Sequence, residues 1–221
     1  MLEAKNITKQ FKDGEKTINV LKETNMKALD REFVAIVGPS GSGKSTLLTI
    51  IGALQSPSGG SVIVNGKDLS SLNEKQRSYL RLNDFGFVLQ GSNLVPYLKI
   101  NEQFKFKIKA AKKEVSQMEI DELVAALSID HILNKYPDQI SGGERQRAAI
   151  ALAMILKPKV LLADEPTASL DSKKAYEVAQ LLRDLAKQFN TTVIMVTHDT
   201  RLIDYCDRIL EMEDGKLVEK T

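Results

Sequence analysis

The chain has a single cysteine, Cys206, in 221 residues. It can therefore form no internal disulfide and carries no paired-cysteine metal motif, which fits a reducing compartment. Its charges nearly cancel: 31 basic against 29 acidic residues leave a net charge of +2, which argues against a dedicated nucleic-acid binder. It has no long apolar run. The longest, "AAIALAMIL" at 148–156, falls well short of the about 20 residues a bilayer span requires. The start, "MLEAKNITKQF", is charged and lacks the apolar stretch of a signal peptide. There is no internal repeat, low-complexity segment or long linker. A role at a membrane would need something else to hold the chain there.

What is present is an alternation of short apolar runs and amphipathic stretches. "LEAKNIT" and "TINVL" alternate in polarity around Asp13-Gly14, which predicts a hairpin. "FVAIVG" (33–38), "VLLADEP" (160–166) and "TTVIMVTHD" (191–199) read as buried strands. "SVIVNGKDL" reads as a strand ending in an Asn-Gly turn, and "FGFVLQ" (85–90) as a further strand. "STLLTIIGAL", "NEKQRSYLRL" (73–82), "SQMEIDELVAALSI" and "KAYEVAQLLRDLAKQF" (174–189) read as helices. Strands alternating with helices predict an α/β fold with a mostly parallel sheet covered on both faces. The stretch from about 92 to 157 reads as helical. Within it "KFKIKAAKK" (105–113) is an exception, because Phe104, Phe106 and Ile108 alternate with lysines as in a strand. Its basic character is expected to be a solvated or partner-facing surface rather than a nucleic-acid patch.

The strand at 33–38 runs into "GPSGSGKST", residues Gly38, Pro39, Ser40, Gly41, Ser42, Gly43, Lys44, Ser45 and Thr46. Gly38, Gly43, Lys44 and Ser45 fit G-x-x-x-x-G-K-[ST] between a strand and a helix, the context a phosphate-binding P-loop needs. Backbone N–H groups would wrap the α- and β-phosphates, Lys44 would reach the β- and γ-phosphates, and Ser45 would ligate magnesium. Asp164, at the end of an apolar strand, is suited to hold the same ion. Glu165 follows it. At a strand end both carboxylates can face one site, so that Asp164 holds the metal and Glu165 orients and deprotonates a water.

A second helix start, "ISGGERQR" at 140–147, has the same anion-attracting character, with Ser141, Gly142 and Gly143 at its head. The ordered set "SGGERQR", "VLLADEP", "ASLD" and "THD" resembles the nucleotide-binding subunit of ABC transporters over essentially the whole chain. The resemblance implies one domain: an ATPase core at about 1–91 and 158–221 with an N-terminal antiparallel β piece, and a helical subdomain at about 92–157, where "KFKIKAAKK" would then be helix. It implies ATP and Mg2+ as cofactors and a homodimer closed head to tail on two ATP molecules. Each signature loop then meets the γ-phosphate held by the other subunit, which accounts for two phosphate-grade helix starts on one chain.

By the same resemblance Phe11 stacks on adenine, although many members have Tyr there. Gln90 contacts magnesium and the attacking water, Ser141, Gly142, Gly143 and Glu144 form the signature loop, Asp171 signals across the dimer, and His198 senses the γ-phosphate. The chain departs from the usual pattern with Ile140 for leucine, Glu144 for glutamine, and Leu152 where many relatives have arginine. A small-molecule kinase would share the P-loop but would have no use for a signature helix. Only 50 residues separate Gln90 from Ser141 and no sustained heptads occur, unlike DNA-repair relatives with long coiled coils.

Two copies of a separate membrane permease are the expected partners, with this ATPase peripheral at the cytoplasmic face of a bacterial membrane and no nucleic acid bound. The sequence most resembles the macrolide-export and lipoprotein-release subgroup. Within that subgroup, "NLVPYLKINEQF" (93–104) and "RLIDYCDRILEMEDGKL" (201–217) resemble the ATPases of bacterial haem exporters. Antimicrobial-peptide resistance and mechanical signalling across the membrane are the alternatives. His131, His198 and Cys206 form no haem-ligating pattern.

Overall fold

The computed structural model describes residues 1–14, 16–168 and 170–219. Glu15, beside the expected Asp13-Gly14 turn, and Ser169, in "ASLD", lie outside the described residues. The N-terminal hairpin consists of β1 (Leu2–Asp13) and β2 (Lys16–Ala28), paired antiparallel from Leu2–Ala28 to Asp13–Lys16. β4 (Gly59–Val64) and the short β5 (Lys67–Asp68) extend it into a four-stranded sheet in the order β2-β1-β4-β5. Asn65 and Gly66, both at positive φ, turn β4 into β5.

A second sheet carries the chemistry. β3 (Phe33–Val37) is buried along its whole length, as is β8 (Thr192–Thr197). β7 (Val160–Asp164) is buried up to its last residue, and β6 (Phe85–Val88) closes that edge. β9 (Arg208–Glu213) and β10 (Lys216–Glu219) complete the order β10-β9-β3-β8-β7-β6. All neighbours run parallel except β9 and β10. Strands buried on both faces need apolar side chains at every position, which is why "FVAIV" and "TVIMVT" show runs rather than alternation. The last two strands lie in a stretch that the sequence reading had used only for its family resemblance.

Helix α1 (Lys44–Ile51) packs against the face that also holds the hairpin. α2 (Glu74–Asp84) starts with a reciprocal capping box between Asn73 and Gln76. α3 (Ile100–Ala111), α4 (Gln117–Leu127), α5 (Gly142–Met154) and α6 (Ser172–Gln188) share the core on the opposite face. The strand-like reading of 104–108 is corrected here, because the segment is helical. Ile100, Gln103, Phe104 and Ala111 form its buried stripe at helical spacing, while Phe106 is 67% exposed. Glu102 accepts the Lys99 N–H at 2.8 Å and caps the helix start. The alternation of Phe104, Phe106 and Ile108 is incidental to a helix that buries only one of the two phenylalanines.

Candidate active site

Four parallel strands, β3, β6, β7 and β8, deliver their C-terminal ends to one cleft of about 490 Å3, lined by Val20, Ser40, Gly41, Gly43, Lys44, Ser45, Thr46, Gln90, Asp164, Glu165 and His198. The loop from β3 to α1 bends through Gly38 at φ 151° and Gly43 at φ 105°. A β-carbon on Gly38 would stand 2.1 Å from the Met212 carbonyl oxygen, and one on Gly43 would stand 2.8 Å from Leu21 Cδ2. The loop can therefore lie against β2 and β9 only with glycine at these two positions. The first turn of α1 has no acidic residue and no side-chain cap, which suits it to an anion.

Lys44 is buried and donates from Nζ to the carbonyls of Gly38 and Pro39, both at 2.8 Å. Burial lowers its pKa, against the pull of Glu165 and Asp164. Asp164 ends β7 and accepts the Ser45 hydroxyl at 3.0 Å. Burial, reinforced by the charge of Glu165, raises the Asp164 carboxyl, while Ser45 and Lys44 pull it down. An added cation at this spot would relieve the crowding of the two carboxylates. The oxygen donors at this edge are the Ser45 hydroxyl, the Asp164 carboxylate and, lining the same cleft, Gln90.

Glu165 adopts the left-handed conformation, φ 49°, while its N–H donates to the Val196 carbonyl at 2.9 Å. A non-glycine residue there is strained. The kink turns Glu165 into the cleft that Asp164 also lines, whereas successive side chains on a regular strand would point to opposite faces. His198 Nδ1 lies 2.9 Å from Glu165 Oε1, and the Thr197 hydroxyl donates to Glu165 Oε2 at 3.3 Å. Thr197 also accepts the Asp199 N–H at 3.0 Å. Val20 and Thr197 were missed by the sequence reading. Thr197 had a visible signal, as the polar last residue of an otherwise apolar strand core.

The remaining expected residues lie elsewhere. Phe11 stands outside this cleft on the exposed hairpin, with Lys9 Nζ 5.1 Å from its ring centroid. Asp171 caps α6, accepting the Lys174 N–H at 3.0 Å and pairing with Lys174 Nζ at 3.1 Å. Ser141, Gly143 and Glu144 line a separate shallow cleft with Arg147, Lys174 and Glu177. At this second helix start, Ser141 Oγ accepts the Glu144 N–H at 3.3 Å and Glu144 Oε2 accepts the Ser141 N–H at 2.7 Å. This closed box leaves the N–H groups of Gly142 and Gly143 outside it. At the other end of α5, Lys107 from α3 donates to the carbonyls of Leu152 at 2.6 Å and Ala153 at 3.3 Å.

Among the described residues, no helix is long and apolar enough to cross a membrane. Residues 21–168 match the family described as ABC transporter. The chain is 45% identical over 218 residues to a Staphylococcus haemolyticus protein and 44% identical over 220 residues to one from Staphylococcus aureus (strain MRSA252); both are named as hemin import ATP-binding proteins, HrtA. The first alignment covers 98% of each chain and the second 99% of each. Among solved structures, the dimeric ATP-binding cassette MJ0796 bound to ADP and Pi superposes with a TM-score of 0.88 at 36% identity, covering 99% of this chain and 98% of that one. The cbiO1 protein of Clostridium perfringens, part of the ABC transporter complex cbiONQ, gives 0.87 at 29%, covering 98% of this chain and 86% of that one. With its P-loop, strand-end carboxylate pair and capped second helix start in one cassette fold, the chain belongs to the ABC transporter ATP-binding family and is an ATPase.

Proposed function

We propose that two copies of this chain close head to tail on two ATP molecules and drive two copies of a separate permease that moves haem out of the membrane. The observation that carries the dimer is the division of phosphate-grade groups between two clefts of one chain, the P-loop cleft and the cleft at Ser141 and Gly143. Each is a half-site in this reading. The dimer of MJ0796 with ADP and Pi supports it, and the place of cbiO1 in a larger transporter complex supports the permease partner.

In this account the loop from Gly38 to Thr46 holds the phosphates, with Lys44 leaving its two carbonyl acceptors for the γ-phosphate. Ser45, Asp164 and Gln90 would hold Mg2+. Among the described residues no cluster of three His, Cys, Asp or Glu side chains could hold a metal ion. A sparse oxygen set of this kind suits magnesium, which keeps several waters and takes phosphate oxygens as further ligands. The ion would supply charge neutralisation on the transferring phosphate. Glu165 orients the attacking water and takes its proton, and His198 contacts the γ-phosphate while bonded to Glu165. Phe11 stacks on adenine. Ser141, Gly142, Gly143 and Glu144 close on the partner's ATP, and Asp171 lies at the dimer contact. The helical segment 92–157 then carries the signature helix relative to the core at 1–91 and 158–221. The chain is peripheral at the cytoplasmic face of a bacterial membrane, touches it only through the permease, and binds no nucleic acid.

Haem as cargo is supported by the HrtA names of its relatives. Those names say import; the resemblance to macrolide-export and lipoprotein-release ATPases argues for outward movement. The test is ATPase activity of this chain with the permease it is proposed to drive, in lipid nanodiscs, titrated with haemin and, separately, with a cell-wall peptide antibiotic. Haemin-dependent turnover that disappears in Glu165→Gln supports haem. A response to the peptide alone moves the system to the resistance branch. Reconstitution in vesicles with haemin on one side then reads the direction.

A further inference from the structure

Glu144 places a carboxylate in the proposed half-site where glutamine is commoner, a variation the family tolerates. It is the third residue of α5, at the helix start where the partner's γ-phosphate would dock. A carboxylate there repels the phosphate, whereas the commoner glutamine would not. We propose that His131 is a positioning residue for the signature helix, holding the Glu144 carboxylate back in the capping box so that an acidic residue can occupy this position. The proposal rests on the sandwich reading and deepens it.

The geometry carries it. His131 Nε2 lies 2.8 Å from Glu144 Oε1, while Oε2 of the same carboxylate accepts the Ser141 N–H at 2.7 Å. Both oxygens are thus engaged and the carboxylate is tied back into the capping box. The backbone and side-chain hydrogen bonds of Ser141, and then His131, hold the Glu144 carboxyl down at about 2. Being ionised, it can only accept, so His131 Nε2 is the donor. The nearby cations are turned elsewhere. Arg145 donates to the carbonyls of Ile140 and Pro137, Arg147 pairs with Glu177 at 3.1 Å, and Lys174 pairs with Asp171. The sequence departure at 144 and the histidine at 131 therefore form one unit, joined across 13 residues from a different loop.

The test uses the full chain carrying Glu165→Gln, with His131→Ala, Glu144→Gln, or both added. Two quantities are read: affinity for ADP, which reports the P-loop of each monomer, and the ATP concentration that gives half-maximal dimer. His131→Ala is expected to leave ADP affinity unchanged and to raise the ATP requirement about threefold to tenfold, the effect of removing one exposed hydrogen bond to a carboxylate at each of two symmetric sites. With Glu144→Gln present, adding His131→Ala should change neither quantity. No shift with His131→Ala, or the same shift in both backgrounds, overturns the proposal, because a merely structural histidine would act independently of residue 144. Failure of the Glu165→Gln chain to dimerise with ATP would instead remove the sandwich itself, and this proposal with it.

Discussion

His198 Nδ1 lies 2.9 Å from Glu165 Oε1, so the residue just past the end of β8 holds the carboxylate just past the end of β7. Thr197 holds the other oxygen of the same carboxylate. Glu165 is thereby fixed from two adjacent residues of the neighbouring strand, in a backbone conformation that regular strand geometry disfavours.

This contact predicts how His198→Ala would behave. The phosphate loop is untouched, so nucleotide affinity should change little. Turnover should fall by about a hundredfold or more, the scale of losing an oriented general base. Steady-state kinetics alongside equilibrium ATP binding checks it; an unchanged kcat would show that the His198–Glu165 contact has no part in hydrolysis.

Lys44→Ala should abolish measurable ATP binding. In the structure Nζ is held by the carbonyls of Gly38 and Pro39 inside the loop, a position from which it reaches phosphate with small movement. Calorimetric titration with ATP checks this, and retained affinity would mean that the loop is not the nucleotide site.

Lys107 predicts a pH effect on stability. Burial pushes its ammonium down to about 8 from the ordinary lysine value of 10.5. Between these two values the unfolded chain binds the proton and the folded chain does not, so stability rises with pH across that window. Wild type should therefore gain stability relative to Lys107→Met between pH 7 and pH 10, by on the order of 2 kcal/mol. Urea unfolding of both proteins at the two pH values reads the difference. Parallel changes in the two proteins would show that Lys107 is charged in both states.

Much of this was legible in the sequence because the site sits at the ends of apolar strands. "FVAIVG", "VLLADEP" and "TTVIMVTHD" each show where hydrophobicity stops, and Gly38, Asp164 and His198 follow at those ends. The helix at 100–111 was less legible from its residues. Phe104, Phe106 and Ile108 imitate a strand, and only the packing shows that Phe106 faces away from the core. Thr197 and His131 were not assigned because their importance comes from contacts across loops, 32 residues from Glu165 and 13 residues from Glu144 respectively. Leu152, the departure that the sequence could not interpret, is half-buried against the helical core and offers its carbonyl to Lys107.

The most direct test of the half-site account is the size of the Glu165→Gln chain by light scattering with and without ATP. The account predicts a monomer alone, a dimer with ATP, and a monomer again when Ser141→Arg is added, although that double variant should still bind nucleotide at its own P-loop. A monomer with ATP, or a dimer indifferent to Ser141→Arg, would contradict it.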